Sequence, residues 1–284
     1  MTADDFVRRR LRAFLREDIG SGDLTTDSFA GLDARRARAV FRAREAGVLA
    51  GLDFAVEVFR LLDPAVRLVR RDVAEGAAMA AGTVLAEVEA AAGALLRGER
   101  TALNIVQRLS GIATLTRQYA AALAGTPVRL LDTRKTTPGF RFFEKYAVRA
   151  GGGHNHRLGL YDGVMIKDNH IAAVGDIGAA VRAAREHAPV TVRIEVEAET
   201  LAQVDAALAA GADIIMLDNM DPDTMRQAAA RVAGRARLEA SGRVTLEALP
   251  GIAAAGVDYI STSAVISRAH WLDIGLDFVA EEAR

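Results

Sequence analysis

From Val128 onward, short β-branched runs alternate with helix-period segments, and this alternation constrains the fold more than any other feature of the chain. Strands are predicted at 128–131, 163–166, 191–195, 213–217, 236–239 and 257–260, and helices at 142–150, 176–186, 199–210, 222–232 and 246–254. Gly211 and Gly256 come just before strands, where a residue past a helix C-terminus can turn left-handed. Such alternation builds parallel strands joined by right-handed crossovers. About six units are visible, fewer than the eight of a complete barrel. No Gly-x-Gly-x-x-Gly run follows a strand, which argues against a dinucleotide-binding sheet. The expectation is an incomplete TIM-like α/β barrel over residues 111–269.

Residues 1–110 read as a separate α+β domain. Asp4 to Glu17 is predicted as an amphipathic helix with Phe6, Leu11, Phe14 and Leu15 on one stripe. A turn-rich loop, Ile19 to Thr26, follows. Strands are predicted at 38–42, 47–50, 66–70 and 83–88, with a helix at 52–62 between them. Ala92 to Leu123 is helical in period, and Gly111 is expected to divide it. Trp271 to Glu282 is predicted as a helix, so that a C-terminal helix within 270–284 would rejoin the first domain.

Composition narrows the functional classes. A formal net charge of −1 offers no global basic field for nucleic acid. The absence of cysteine removes disulfides, thiolate metal sites and a Cys nucleophile. The N-terminus puts acids first and lacks the apolar core of a secretory signal, and no uncharged apolar run would span a bilayer. A cytoplasmic protein is expected, with no membrane or nucleic-acid partner.

In parallel α/β barrels, active sites lie at the carboxyl ends of the strands. The predicted strands are followed by Asp132-Thr133-Arg134-Lys135, Lys167-Asp168-Asn169-His170, Glu195-Val196-Glu197, Asp218-Asn219, Ser241-Gly242 and Ser261-Thr262-Ser263. One polar strand end is ordinary surface; six in succession are not. Period-two alternation puts Glu195 and Glu197 on one side, toward the interior. Within Asp132 to Ile171 the chain also gathers Arg134, Lys135, Arg141, Lys145, Arg149, His154, His156, Arg157 and Lys167. Early strands thus bring cations, middle strands carboxylates, and late strands hydroxyl and glycine residues ahead of helices, the makings of a phosphate cradle. Glu197 and Asp218 could hold Mg2+ through water or accept sugar hydroxyls, and Arg134, Lys135, Arg157 and Lys167 could pair with carboxylates or a diphosphate. The inferred ligand is composite: a phosphorylated sugar with Mg2+, plus a second anion.

The runs DTRKTTPGFR, NHRLGLYD, IKDNHI, EVE, IMLDNM and LEASG, in this order and spacing, closely resemble the quinolinate phosphoribosyltransferases, the carboxylating nicotinate-nucleotide pyrophosphorylases. The resemblance extends from Glu17 to Leu276. It implies the type II phosphoribosyltransferase fold, an N-terminal α/β sandwich with an incomplete α/β barrel. It implies quinolinate and phosphoribosyl pyrophosphate as substrates, Mg2+ accompanying the latter, and no organic cofactor. It also implies a homodimer in which Arg100 reaches the partner's site. Thr133, Arg134, Lys135, His156, Arg157 and Lys167 would bind the two carboxylates and the diphosphate. Glu197 and Asp218 would face the ribose and Mg2+, and Lys135, Lys167, Glu197 and Asp218 would carry the catalysis. Ser241, Gly242, Arg243, Thr262, Ser263 and Ala264 would hold the 5-phosphate.

Two positions depart from the family pattern. Arg243 stands where a Gly or Asn is usual, and Ser263 where the last loop usually has Gly, which removes the easiest route to positive φ. Arg243 would then supply a charge and Ser263 a hydroxyl. Rival assignments are a paralogous pyrophosphorylase acting on another base, a class I aldolase-type barrel with Lys167 as Schiff-base lysine, and a small-anion sensor. His170 is expected to hydrogen-bond locally, and with two carboxylates but no tight His cluster a structural zinc is not expected.

Overall fold

The computed structural model of the protein describes residues 3–279. In chain order the elements are α1 (Ala3–Ile19), a 3-10 turn (Thr26–Ser28), β1 (Arg36–Ala43), β2 (Gly47–Val48), α2 (Leu52–Leu62), β3 (Arg67–Arg71), β4 (Ala78–Met79), β5 (Val84–Ala91) and α3 (Ala92–Ala122). There follow β6 (Arg129–Leu131), α4 (Arg141–Ala150), β7 (Val164–Ile166), α5 (Asp168–Val174), α6 (Ile177–His187), β8 (Ile194–Ala198), α7 (Leu201–Ala209), β9 (Ile214–Asp218) and α8 (Pro222–Val232). The chain ends with β10 (Arg237–Ser241), α9 (Leu249–Ala253), β11 (Tyr259–Ser261), α10 (Ala264–Ser267) and β12 (Ile274–Phe278). It divides into two compact units, Met1–Thr114 with Ala269–Arg284, and Leu115–Arg268. No helix among the described residues is long and apolar enough to cross a membrane.

In the first unit, α1 buries Val7, Leu11 and Leu15, spaced four apart, and packs against α2. Arg8, Arg9, Arg10 and Arg12 point to solvent. A four-stranded antiparallel sheet runs β12-β1-β5-β3. Two sequence expectations fail here. The C-terminal segment is not a helix: Ile274–Phe278 is an edge strand paired with Ala39–Ala43. Leu272, Ile274 and Leu276 are buried at a spacing of two, the period of a strand, and an unpaired edge of β1 is there to receive them. The part of that helix placed at 280–284 lies outside the described residues. Nor does Gly111 divide α3, which is continuous. A Cβ at Gly111 would overlap the carbonyl oxygen of His270, so glycine serves close packing there, not a break.

In the second unit, six parallel strands follow the order β6-β11-β10-β9-β8-β7. That is the sequential order of a barrel with its seam open between the first strand and the second. The free edge of β6 takes up the glycine-rich segment: His154 forms a parallel bridge with Leu131, donating its N–H to the Leu130 carbonyl at 2.8 Å. The crossover helices start where their caps predict. Asp176 accepts the Ala179 N–H at 2.8 Å, Thr200 accepts that of Gln203 at 3.2 Å, and Asp221 accepts that of Thr224 at 3.0 Å just before Pro222. Buried Met225, Ala228 and Val232 hold α8 against the sheet, the larger two contributing roughly 1.5–3 kcal/mol each. The strands run further toward their carboxyl ends than periodicity implied. Glu197, Asp218 and Ser241 are strand residues, so the sheet itself positions them. At β8 the predicted start at Thr191 is spent on a turn closed by the Val192 N–H on the Pro189 carbonyl.

Candidate active site

Asp132 follows β6 and is wholly buried, as is Lys145 of α4, whose ammonium donates to it. Asp132 also accepts from Asn155 Nδ2 at 2.6 Å and from the His156 N–H at 2.9 Å, while Lys145 reaches the His156 carbonyl at 3.0 Å. Burial pushes the Asp132 carboxyl up and the Lys145 ammonium down, each against the other's attraction. This network ties β6, α4 and the Asn155-His156-Arg157 segment together. Beside it, Glu144 accepts from the N–H and hydroxyl of Thr137, both at 2.9 Å, and Arg141 donates to the Thr136 hydroxyl and the Leu158 carbonyl, also at 2.9 Å. Two members of the cation cluster, Arg141 and Lys145, are therefore framework, and Arg149 is exposed on α4.

The Thr133-Arg134-Lys135 loop is what that framework presents. Thr133 Oγ1 accepts the Lys135 N–H at 3.0 Å, Lys135 is exposed and Arg134 half-buried. Neither cation has a carboxylate within ion-pair distance among the described residues. Lys135 lies close enough to Asp218 for its charge to act on that carboxyl, and Arg134 close enough to Arg157 to repel it. Lys167, at the end of β7, meets Glu197 Oε2 at 2.5 Å. Asp218 is pushed above the ordinary carboxylate range by burial and by the charge of Glu197, against a hydrogen bond from Asn219 Nδ2 at 2.7 Å. Lys135, Lys167, Glu197 and Asp218 thus share one mouth. His170, on α5, accepts the Lys167 N–H through Nδ1 at 3.0 Å, a local bond as expected.

Below them His156 meets two buried glutamates. His156 Nε2 is 3.0 Å from Glu195 Oε2 and 3.5 Å from Glu239 Oε2. Burial works against the imidazolium, but the two carboxylates prevail and push His156 up to about 10. Opposing them, His156 Nδ1 accepts the Arg157 N–H at 2.8 Å, a contact only an unprotonated Nδ1 can make. Burial and the nearness of Glu239 push Glu195 up, against its hydrogen bond from His156. Both His156 nitrogens are thus engaged within the protein. The Arg157 guanidinium donates to the Gly163 carbonyl at 3.0 Å, and burial and Arg134 lower its affinity for its proton. Glu239 escaped sequence reasoning as a site residue. The only signal was its place in LEASG, since residues 156, 195 and 239 meet through tertiary structure alone.

The late strand ends differ from the expected cradle. After β10, residues 242–248 intervene before α9, so Ser241 and Gly242 do not open a helix. Gly242 has φ 93°, and a Cβ there would overlap the Asn219 side chain. Arg243 follows at φ 44°, so a non-glycine residue occupies the left-handed region. Ser263, by contrast, sits at φ −81° and needs no glycine. Thr262 Oγ1 accepts the Ala264 N–H at 3.1 Å, occupying one donor at the start of the short α10, and Ala264 is buried. Arg100 is exposed on α3 in the first unit.

Comparison with known proteins is extensive. The family model described as quinolinate phosphoribosyl transferase, N-terminal domain, matches residues 23–110, and its C-terminal counterpart matches residues 112–277. The nicotinate-nucleotide pyrophosphorylase (carboxylating) of Mycobacterium leprae is 43% identical over 96% of this chain and 97% of its own. A Synechocystis protein named probable nicotinate-nucleotide pyrophosphorylase (carboxylating) is 50% identical over 95% of this chain and 91% of its own. Among solved structures, NadC from Streptococcus pyogenes superposes with a TM-score of 0.91 at 42% identity, covering 99% of each chain.

Proposed function

The chain belongs to the quinolinate phosphoribosyltransferase family, and on that premise we propose that the family's reaction runs at the polar mouth of the barrel. The enzyme transfers the phosphoribosyl group of phosphoribosyl pyrophosphate to quinolinate, giving nicotinate mononucleotide, pyrophosphate and CO2, a step in pyridine nucleotide synthesis. The pyridine nitrogen attacks the anomeric carbon as pyrophosphate departs, so positive charge develops on the sugar and negative charge on the leaving group. No nucleophilic side chain is required; positioning and fixed charge can carry most of the rate. CO2 then leaves because the quaternised nitrogen stabilises the electron pair left on the adjacent carbon, which takes up a proton from water to complete the product.

Arg134, Lys135, Arg157 and Lys167 meet the anionic groups, with Thr133 shaping their loop. His156 holds Arg157 in place, since its own nitrogens are engaged. A grip on the departing carboxylate would oppose decarboxylation, so specificity rests mainly on the other carboxylate. Glu197 and Asp218 face the developing positive charge on the ribose and, through water, would hold the Mg2+ of phosphoribosyl pyrophosphate. Their closeness, felt in the raised Asp218 carboxyl, fits such a hold. When bound, Mg2+ neutralises charge on the departing diphosphate. Ser241, Gly242, Arg243, Thr262, Ser263 and Ala264 form the 5-phosphate end. The observation that carries the proposal is the convergence of Lys135, Lys167, Glu197 and Asp218 from four separate segments. Lys167 is 44% exposed and paired with a carboxylate, the opposite of the desolvated setting a Schiff-base lysine needs.

Incubation with quinolinate, phosphoribosyl pyrophosphate and Mg2+ should yield nicotinate mononucleotide; absence of product would overturn the assignment. We further propose a cytoplasmic homodimer in which Arg100 completes the partner's site. Mixing inactive Arg100→Ala and Lys135→Ala chains should then restore part of the activity, and no restoration would count against a shared site.

A further inference from the structure

Three residues at two neighbouring strand ends stand in the left-handed region: Asn219 after β9 at φ 54°, and Gly242 and Arg243 after β10 at φ 93° and 44°. Among the described residues the other non-glycine with positive φ is Ala233, which closes α8 as a helix cap. The left-handed conformations thus gather where Asp218 and the loop proposed for the 5-phosphate lie side by side, Asp218 being the ladder partner of Ser241. Glycine would hold the backbone of position 219 at no steric cost. An exposed asparagine is there instead, so the contacts of its side chain have to offset the strain.

That side chain makes two contacts. Its Nδ2 donates to Asp218 Oδ2 at 2.7 Å, and among the described residues no other hydrogen-bond donor reaches that carboxylate. It also lies over Gly242, where an added Cβ would come within 2.3 Å of Asn219 Oδ1 and 2.6 Å of its Cγ. The Asn219 N–H donates to the Ser241 carbonyl at 2.9 Å and fixes the same junction from the backbone. One short amide therefore spans from the carboxylate that faces the ribose to the first residue of the 5-phosphate loop. Residues 242–248 of that loop have no helix to stiffen them, so the contact at Gly242 anchors its start. On the basis of the phosphoribosyl transfer assigned to this mouth, we propose that Asn219 is a positioning residue for phosphoribosyl pyrophosphate. It orients Asp218 and seats Gly242 beside it, so the ribose and the 5-phosphate are gripped at a fixed separation. Holding both ends ready before the ligand arrives lowers the ordering cost of binding.

Asn219→Gly tolerates the φ of 54° and removes both side-chain contacts, so the chain should fold with little change in melting temperature. Calorimetric titration of the full chain with phosphoribosyl pyrophosphate and Mg2+, without quinolinate, should show affinity reduced by roughly tenfold or more. In turnover, KM for phosphoribosyl pyrophosphate should rise by a similar factor while KM for quinolinate stays within about twofold. A merely structural role would not produce that split. Gly242→Ala supplies the second arm, because its Cβ would push the Asn219 amide away from Asp218. It should weaken binding at least about threefold more in the wild-type background than in Asn219→Gly, where the amide is already gone. Equal losses in the two backgrounds would overturn the positioning role, as would an Asn219→Gly chain that binds phosphoribosyl pyrophosphate like wild type. A quinolinate KM that rises as far as the other would do the same. A wild-type chain that shows this binding pattern but forms no nicotinate mononucleotide would defeat the assigned reaction and leave the positioning role supported.

Discussion

Lys145 meets Asp132 inside the barrel with side-chain exposures of 1% and 0%, whereas Lys167 meets Glu197 at the mouth with exposures of 44% and 13%. The residue types are nearly the same, yet burial separates their consequences. Inside, each charge has surrendered its hydration and depends on its partner and on the donors from Asn155 and His156. At the mouth, water shares the solvation, so the pair adds little stability and both groups remain available to a ligand. The barrel thus holds one lysine–carboxylate pair as a rivet and, in the proposed reaction, uses the other as a reagent.

Lys145→Ala tests the rivet and should have the largest effect on the fold. Leaving Asp132 buried and unpaired should cost about 3–5 kcal/mol in urea unfolding. A loss below about 1 kcal/mol would erase the distinction between the pairs. Lys167→Ala tests the reagent. It should lower kcat/KM by roughly 100-fold to 1,000-fold while changing stability by less than about 1 kcal/mol. Lys135→Ala should behave likewise, and near-normal turnover in either would remove it from the site.

Arg243→Gly probes the late loops on a smaller scale. Relief of the left-handed strain should stabilise the chain by about 1 kcal/mol, seen as a higher midpoint in denaturant. The KM for phosphoribosyl pyrophosphate should rise if the guanidinium faces the 5-phosphate; an unchanged KM would place Arg243 outside the site.

The smallest effect is a pH shift. Asp218 lies above the ordinary carboxylate range, and the role proposed for it needs the ionised form, so activity should be present above its pKa and lost as pH falls through it. Asn219→Gly removes the hydrogen bond that holds Asp218 down while tolerating the φ of 54° found at that position. The acid limb of kcat/KM should therefore move to higher pH, and a shift the other way would contradict the ionised role.

Much of this was legible in the chain itself. The α2 limits Leu52 and Leu62 and the α8 limits Pro222 and Val232 follow from local period and caps. The strand-end residues Lys167, Glu197 and Asp218 follow from the alternation of elements. The failures share a cause. Ile274–Phe278 is a strand because β1 has an edge to fill, and Gly111 is helical because a distant carbonyl needs its space. Arg141 and Lys145 look like pocket cations until the loop carbonyls and the buried Asp132 that claim them are in view.

By itself, the sequence determined the alternation of strands and helices after Val128, the six-stranded parallel barrel and which residues stand at its carboxyl end. Hydrophobic period, capping and strand direction are local properties, and a parallel barrel converts them directly into position. Only the tertiary structure decided which charges are buried and which remain free. It also decided that residues 156, 195 and 239 share one chamber. Solvation and charge proximity are set by neighbours far apart in the chain, and no local period records them.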